Sequence, residues 1–179
     1  MGWLLENLWL AITKGFVDNR NMTLPFLLGY GLLVTCFGLC FGTPDNIAVF
    51  GIKTDITGKA SWIFYFAVAF IIICVGEHIL GTIVEKICGV EYWNYDWIPF
   101  KISKYTTFPT SVGFALILTL FMGYCARPVA DIFTRIDRDT ALRFGIIITL
   151  VLFIDFAASF SYMHKNKKLN EKWRISLKK

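Results

Sequence analysis

Long apolar runs broken by short polar stretches organise this chain, and their lengths predict helices. Five segments emerge: Gly2 to Phe16, Leu24 to Gly42, Trp62 to Lys86, Pro109 to Ala126 and Phe144 to Met163. The last four run about 18 to 25 residues, enough to cross a hydrocarbon core of about 30 Å. The first is short and lacks the basic start and small-residue cleavage site of a signal peptide. It is expected to span incompletely, with its N-terminus held within the outer leaflet. The predicted fold class is all-α, a polytopic membrane helix bundle in which residues 1–179 form one integral-membrane domain. Between the third and fourth segments, Glu91 to Phe108 carries seven aromatic rings with Lys101 and Lys104 among them. Amphipathic rings belong at the headgroup level, so this segment is expected to lie along the cytoplasmic interface, partly re-entrant.

Composition agrees with this pattern. The chain is 56% hydrophobic and 17% charged, where a soluble domain carries about a quarter of its residues as charges. The net charge of +5 does not form a patch on a soluble fold, so nucleic acid is not expected as a partner. Seven of the 18 Lys and Arg residues lie in the tail from His164 to Lys179, which reads as a cytosolic anchor beside anionic membrane lipid. With the tail inside, the cytoplasmic face holds twelve basic residues, including Lys14, Arg20 and Lys86, and the outer face holds six. The bias predicts the N-terminus out and the C-terminus in the cytoplasm. Gly38 and Gly42 have the spacing that permits close helix contact, either within the chain or in a homo-oligomer. The five cysteines show no CxxC or CxxH spacing, and they read as packing residues. No metal and no cofactor is expected.

Against this apolar background the acids are the informative residues. Glu77 and His78 stand side by side in the third segment, Glu6 in the first and Asp155 in the fifth. A carboxylate in hydrocarbon costs several kcal/mol unless it is paired, solvated or protonated, so each is a candidate functional residue. Counting helical rise from the polar end of each segment places Glu6, Glu77 and Asp155 in one layer, roughly 12–15 Å inside the cytoplasmic boundary. Ser159 lies one turn below Asp155. Glu77, Gly81 and Glu85 form a stripe at four-residue spacing, directed toward Arg20, Asn94 and Tyr95. The expected site therefore comprises Glu6, Arg20, Glu77, His78, Glu85, Trp93, Asn94, Tyr95, Asp155 and Ser159.

Several stretches also resemble a known family. They are Gly2-Trp3-Leu4-Leu5-Glu6, Asn19-Arg20, and Pro25-Phe26 through Tyr30-Gly31. They continue with Glu77, Leu80 through Val84-Glu85-Lys86, Tyr92-Trp93-Asn94-Tyr95 with Pro99-Phe100, and Asp155-Phe156 with Ser159. The whole is similar to the family labelled ABC-transporter permease, small multi-span proteins of bacterial type. The chain departs from that pattern at Asp96, where the family has Ser, at Lys101, where it has Asn, and at Ser103-Lys104, where it has Gly-Arg. The resemblance implies a transporter or permease component of a bacterial cytoplasmic membrane. Its carboxylate site would serve a proton, a cation or a small polar or amphiphilic solute. No GxxxxGK[ST] loop is present, so ATP-driven transport would need a separate partner subunit.

A second reading is a small intramembrane enzyme acting on a lipid or isoprenoid headgroup. Arg20, Lys101 and Lys104 would hold the headgroup phosphate, and the acids with His78 would do acid–base work or bind a divalent metal. No catalytic motif identifies such a reaction. A third reading is a structural or assembly subunit of a membrane complex.

Overall fold

The computed structural model describes residues 2–177. Five helices run through them: α1 (Gly2–Lys14), α2 (Leu28–Phe41), α3 (Lys59–Cys88), α4 (Phe108–Thr134) and α5 (Arg138–Asn166). Among the described residues, α3, α4 and α5 are long and apolar enough to cross a membrane. The mostly helical membrane architecture is therefore as expected, but α2 is only 14 residues long. The apolar stretch from Leu24 begins with Pro25, and its first residues form turns in which Phe26 N–H bonds the Leu24 carbonyl. α4 instead runs beyond its expected end at Ala126. A π-helical turn at Phe121–Cys125 widens the winding just before Pro128, whose ring crowds the preceding turn and which lacks an N–H. Short strands fill the connections: β1 (Phe16–Val17), β2 (Gly42–Thr43), β3 (Asn46–Val49), β4 (Ile52–Lys53), β5 (Lys101–Ser103), β6 (Thr106–Thr107) and β7 (Ile175–Ser176).

The chain divides into two compact units. The first holds Met1–Leu32, Glu85–Val90 and Asp139–Lys179. Here the chain leaves α1 at Gly15 and doubles back beside it. Strand β1 pairs antiparallel with β7, with Phe16 opposite Ser176, so the basic tail is tied to the end of α1. The end of α3 meets the end of α5, where His164 Nδ1 lies 2.6 Å from the Ile87 carbonyl oxygen. Gly89 closes α3 in the left-handed region at φ 68°, its N–H bonding the Glu85 carbonyl, and Lys167 of the tail lies against it. Lys14 and Lys86 thus stand at the ends of α1 and α3 that meet the described part of the tail.

The second unit holds Leu33–Val84 and Glu91–Arg138. Its core joins Phe37 of α2, Tyr65, Ala69 and Ile73 of α3, and Ala115, Leu118 and Met122 of α4. Spacings of four and four residues in α3, and of three and four in α4, keep these side chains on one face of each helix. Ala69 and Ala115 are fully buried, and their size lets the helices approach closely. Strands β2, β3 and β4 form an antiparallel meander between α2 and α3, and Tyr65 donates its hydroxyl to the Gly42 carbonyl at its edge. Strands β5 and β6 form a hairpin just before α4, with Lys101 opposite Thr107 and Ser103 opposite Thr106. The aromatic segment is thus a folded hairpin. Tyr105 in its turn packs onto α3 where Gly81 leaves room, and a Cβ at Gly81 would lie 2.2 Å from the ring.

That contact sets the sign of a substitution. Alanine in place of glycine inside a helix is worth about 1 kcal/mol of propensity, whereas overpacking costs about 1–3 kcal/mol. Gly76, one turn and one residue earlier, has nothing within 4 Å of a built Cβ. Gly76→Ala should hold or raise the melting temperature in detergent, and Gly81→Ala should lower it. Equal stabilisation by both would refute the packing of Tyr105 on α3.

Candidate functional site

In the first unit, Glu6 and Asp155 both act on the segment that follows β1. Glu6 receives Arg20, with Nε 3.1 Å from Oε1, and the Tyr30 hydroxyl donates to Oε2 at 2.9 Å. The Glu6 and Arg20 side chains are each only 11% exposed. Arg20 and Asn21 are both left-handed, at φ 48° and 70°, and the Arg20 N–H bonds the Asp18 carboxylate. This bend carries the guanidinium back along α1 to Glu6. Asp155 spends both oxygens on backbone, accepting Thr23 N–H at Oδ1 and Leu24 N–H at Oδ2, each at 3.1 Å. Ser159 is buried, and its carbonyl accepts the Asn21 amide at 3.0 Å. Asn21 also accepts Asn170 N–H, and Asn7 accepts Asp18 N–H.

The sequence reading did not single out Asn7, Asp18, Asn21 or Tyr30. Its available signal was the polar run Asp18-Asn19-Arg20-Asn21, rich in residue types that bond backbone and tolerate left-handed geometry. Glu85, at the end of α3, accepts Gly89 N–H with its carbonyl.

In the second unit, Glu77 lies on α3 between two points of contact with the hairpin. Phe70, Glu77 and Gly81 are seven and four residues apart, which keeps them on one helix face. The Phe70 ring meets Phe108 at 5.5 Å, and Gly81 meets Tyr105. Glu77 therefore lies on the face of α3 that also carries the contacts to Phe108 and Tyr105, and its Oε2 atom is shielded from solvent. The start of α4 is rich in hydroxyls. Thr107 caps α4 through a reciprocal bond pair with Thr110, and Thr106 Oγ1 lies 2.8 Å from Ser111 Oγ. All four residues are buried. A shielded carboxylate on an apolar helix can hold a proton or a cation, or bond a polar solute. His78 lies about 100° around the helix and is exposed.

The hairpin binds its own polar groups. Trp93 donates its indole N–H to the Tyr105 carbonyl at 2.8 Å, and Tyr95 N–H bonds the Lys104 carbonyl. Asn94 bridges Glu91 and Asp96. Lys101 pairs with Asp96 at 3.0 Å and Lys104 with Glu91 at 2.9 Å. The hydrogen bond from Lys101, helped by one from Asn94, holds the Asp96 carboxyl below the usual range. That pair is complete above the ordinary carboxylate range and opens only as pH falls through the lowered value. All three cations considered for a headgroup, Arg20, Lys101 and Lys104, thus stand in ion pairs. Among the described residues, no three His, Cys, Asp or Glu side chains converge as metal ligands would.

The role of Asp155 is directly testable. Asp155→Asn keeps one acceptor and turns an NH₂ group toward a backbone N–H. Hydrogen bonds to charged groups are worth about 1.5–3 kcal/mol. The variant should melt lower by an amount of that order, with faster amide exchange confined to residues 18–27. Unchanged exchange there would remove the anchoring role.

No curated protein and no solved structure matches the chain. A family model does match, over residues 1–160. That stretch takes in Glu6, Arg20, Glu77, the hairpin, Asp155 and Ser159. With three apolar helices able to span a membrane and a match over nearly its whole length, the chain is a transporter-like membrane protein that belongs to the family described as "Putative ABC-transporter type IV".

Proposed function

We propose that the chain is the membrane component of a transporter and that Glu77 is the carboxylate that takes up its proton, cation or small polar solute. The observation that carries this reading is the shielded Glu77 oxygen on the face of α3 that also carries the contacts to Tyr105 and Phe108. Glu77 stands within α3, an apolar helix long enough to cross a membrane, where a carboxylate must be paired, solvated or protonated. ATP hydrolysis is assigned to a separate subunit. The proposed setting is a bacterial cytoplasmic membrane with the tail inside, on the strength of the twelve-to-six basic bias.

Two experiments test this. Glu77→Gln keeps the shape and much of the hydrogen bonding of the side chain, so the melting temperature in detergent should hold. The uptake or growth phenotype that depends on the gene should be lost. Destabilisation by roughly 3–5 kcal/mol would instead mark Glu77 as half of a buried ion-pair lock, and a stable variant with full activity would reject the residue altogether. For orientation, Ser176→Cys should stay unlabelled by an impermeant maleimide on intact cells and label once they are permeabilised. Labelling above the wild-type background on intact cells reverses the topology.

A further inference from the structure

The aromatic hairpin has two unlike ends. Its turn is buried, with Tyr105 only 2% exposed against α3. Its other end presents Trp97, Phe100, Ile102 and Phe108, of which Phe100 is 79% exposed. Phe100 holds a left-handed backbone at φ 57°, a conformation unfavourable for a bulky side chain and one that Asn and Asp adopt far more readily. A large apolar ring held outward is unfavourable in water and favourable against hydrocarbon. The polar groups nearby are neutralised in pairs, Lys101 with Asp96 and Lys104 with Glu91. The level of this edge is also set, because the Phe100 carbonyl accepts the N–H of Phe108, the first residue of the apolar span α4. An edge tied to the start of a membrane span lies where hydrocarbon gives way to headgroups.

We infer that the edge formed by Trp97, Phe100 and Ile102 inserts into the lipid bilayer beside α4 and anchors the hairpin by apolar burial, not by attraction of its lysines to anionic headgroups. The occupant is lipid acyl chain at the interface. The hairpin is then held from both ends, by lipid at Phe100 and by α3 at Tyr105.

The test uses the full-length protein in phosphatidylcholine vesicles. The chain has six tryptophans, so the Trp97 signal is the difference in emission between wild type and Trp97→Phe. Phosphatidylcholine brominated near the top of the acyl chain should quench most of that difference, and aqueous iodide should leave it intact. Adding phosphatidylserine or raising the salt should change neither result. Phe100→Asp suits the left-handed backbone but removes the apolar tip, so it should preserve the melting temperature and expose Trp97 to iodide. Quenching by iodide in the wild type overturns the inference. So does quenching by neither agent, which would place Trp97 against protein. Bromolipid quenching that requires anionic lipid would overturn the apolar anchoring.

Discussion

In an apolar medium no water satisfies a backbone N–H or carbonyl, and most of the polar chemistry of this protein answers that constraint. Residues 15–24 are not helical, and Thr23 and Leu24 among them lie beside Asp155, about 16 Å from the C-terminal end of α5 at helical rise. The chain supplies the partners that water would have provided. Asp155 takes two N–H groups, Asn7 takes one from Asp18, and Asn21 both gives to Ser159 and takes from Asn170. Arg20, carried by the same bend, has the Glu6 carboxylate and could not stand without a counter-charge there. Acids and amides placed on apolar helices are thus consequences of a segment that doubles back.

The same constraint governs the second unit, with hydroxyls in place of charges. The hairpin and the first turn of α4 meet their own needs through Thr106, Thr107, Thr110 and Ser111, and Trp93 covers the Tyr105 carbonyl. Gly81 makes the arrangement possible, because only a missing side chain lets Tyr105 reach α3. Glu77 sits on the face so formed, one turn above Gly81. Glu6 and Asp155, in the first unit, are tied to the doubled-back segment.

Periodicity, length and charge were legible from the sequence for clear physical reasons. A membrane span must be apolar over its whole length, so α3, α4 and α5 announce themselves. Basic residues collect at the ends of apolar segments, so Lys14 and Lys86 mark the ends of α1 and α3. An acid in such a span is conspicuous, so Glu6, Glu77 and Asp155 could be picked out without any structure. Those properties are local, and each is written in a run of neighbouring residues.

The partners of those acids were not legible, because hydrogen bonds between distant residues leave no local trace. Depth counting put three acids in one layer, but rise along a helix says nothing about which face an acid occupies or what lies opposite. Tertiary structure decided that Asp155 meets Thr23 and Leu24, more than a hundred residues away, and that Glu6 meets Arg20. It likewise decided that the aromatic segment closes into a hairpin, since a two-residue turn at Lys104-Tyr105 forms only where Gly81 leaves space for the ring. The sequence alone determined a membrane bundle that carries acids. Folding determined that Glu6 and Asp155 tie down the doubled-back segment, because burial and pairing depend on segments that meet only in three dimensions.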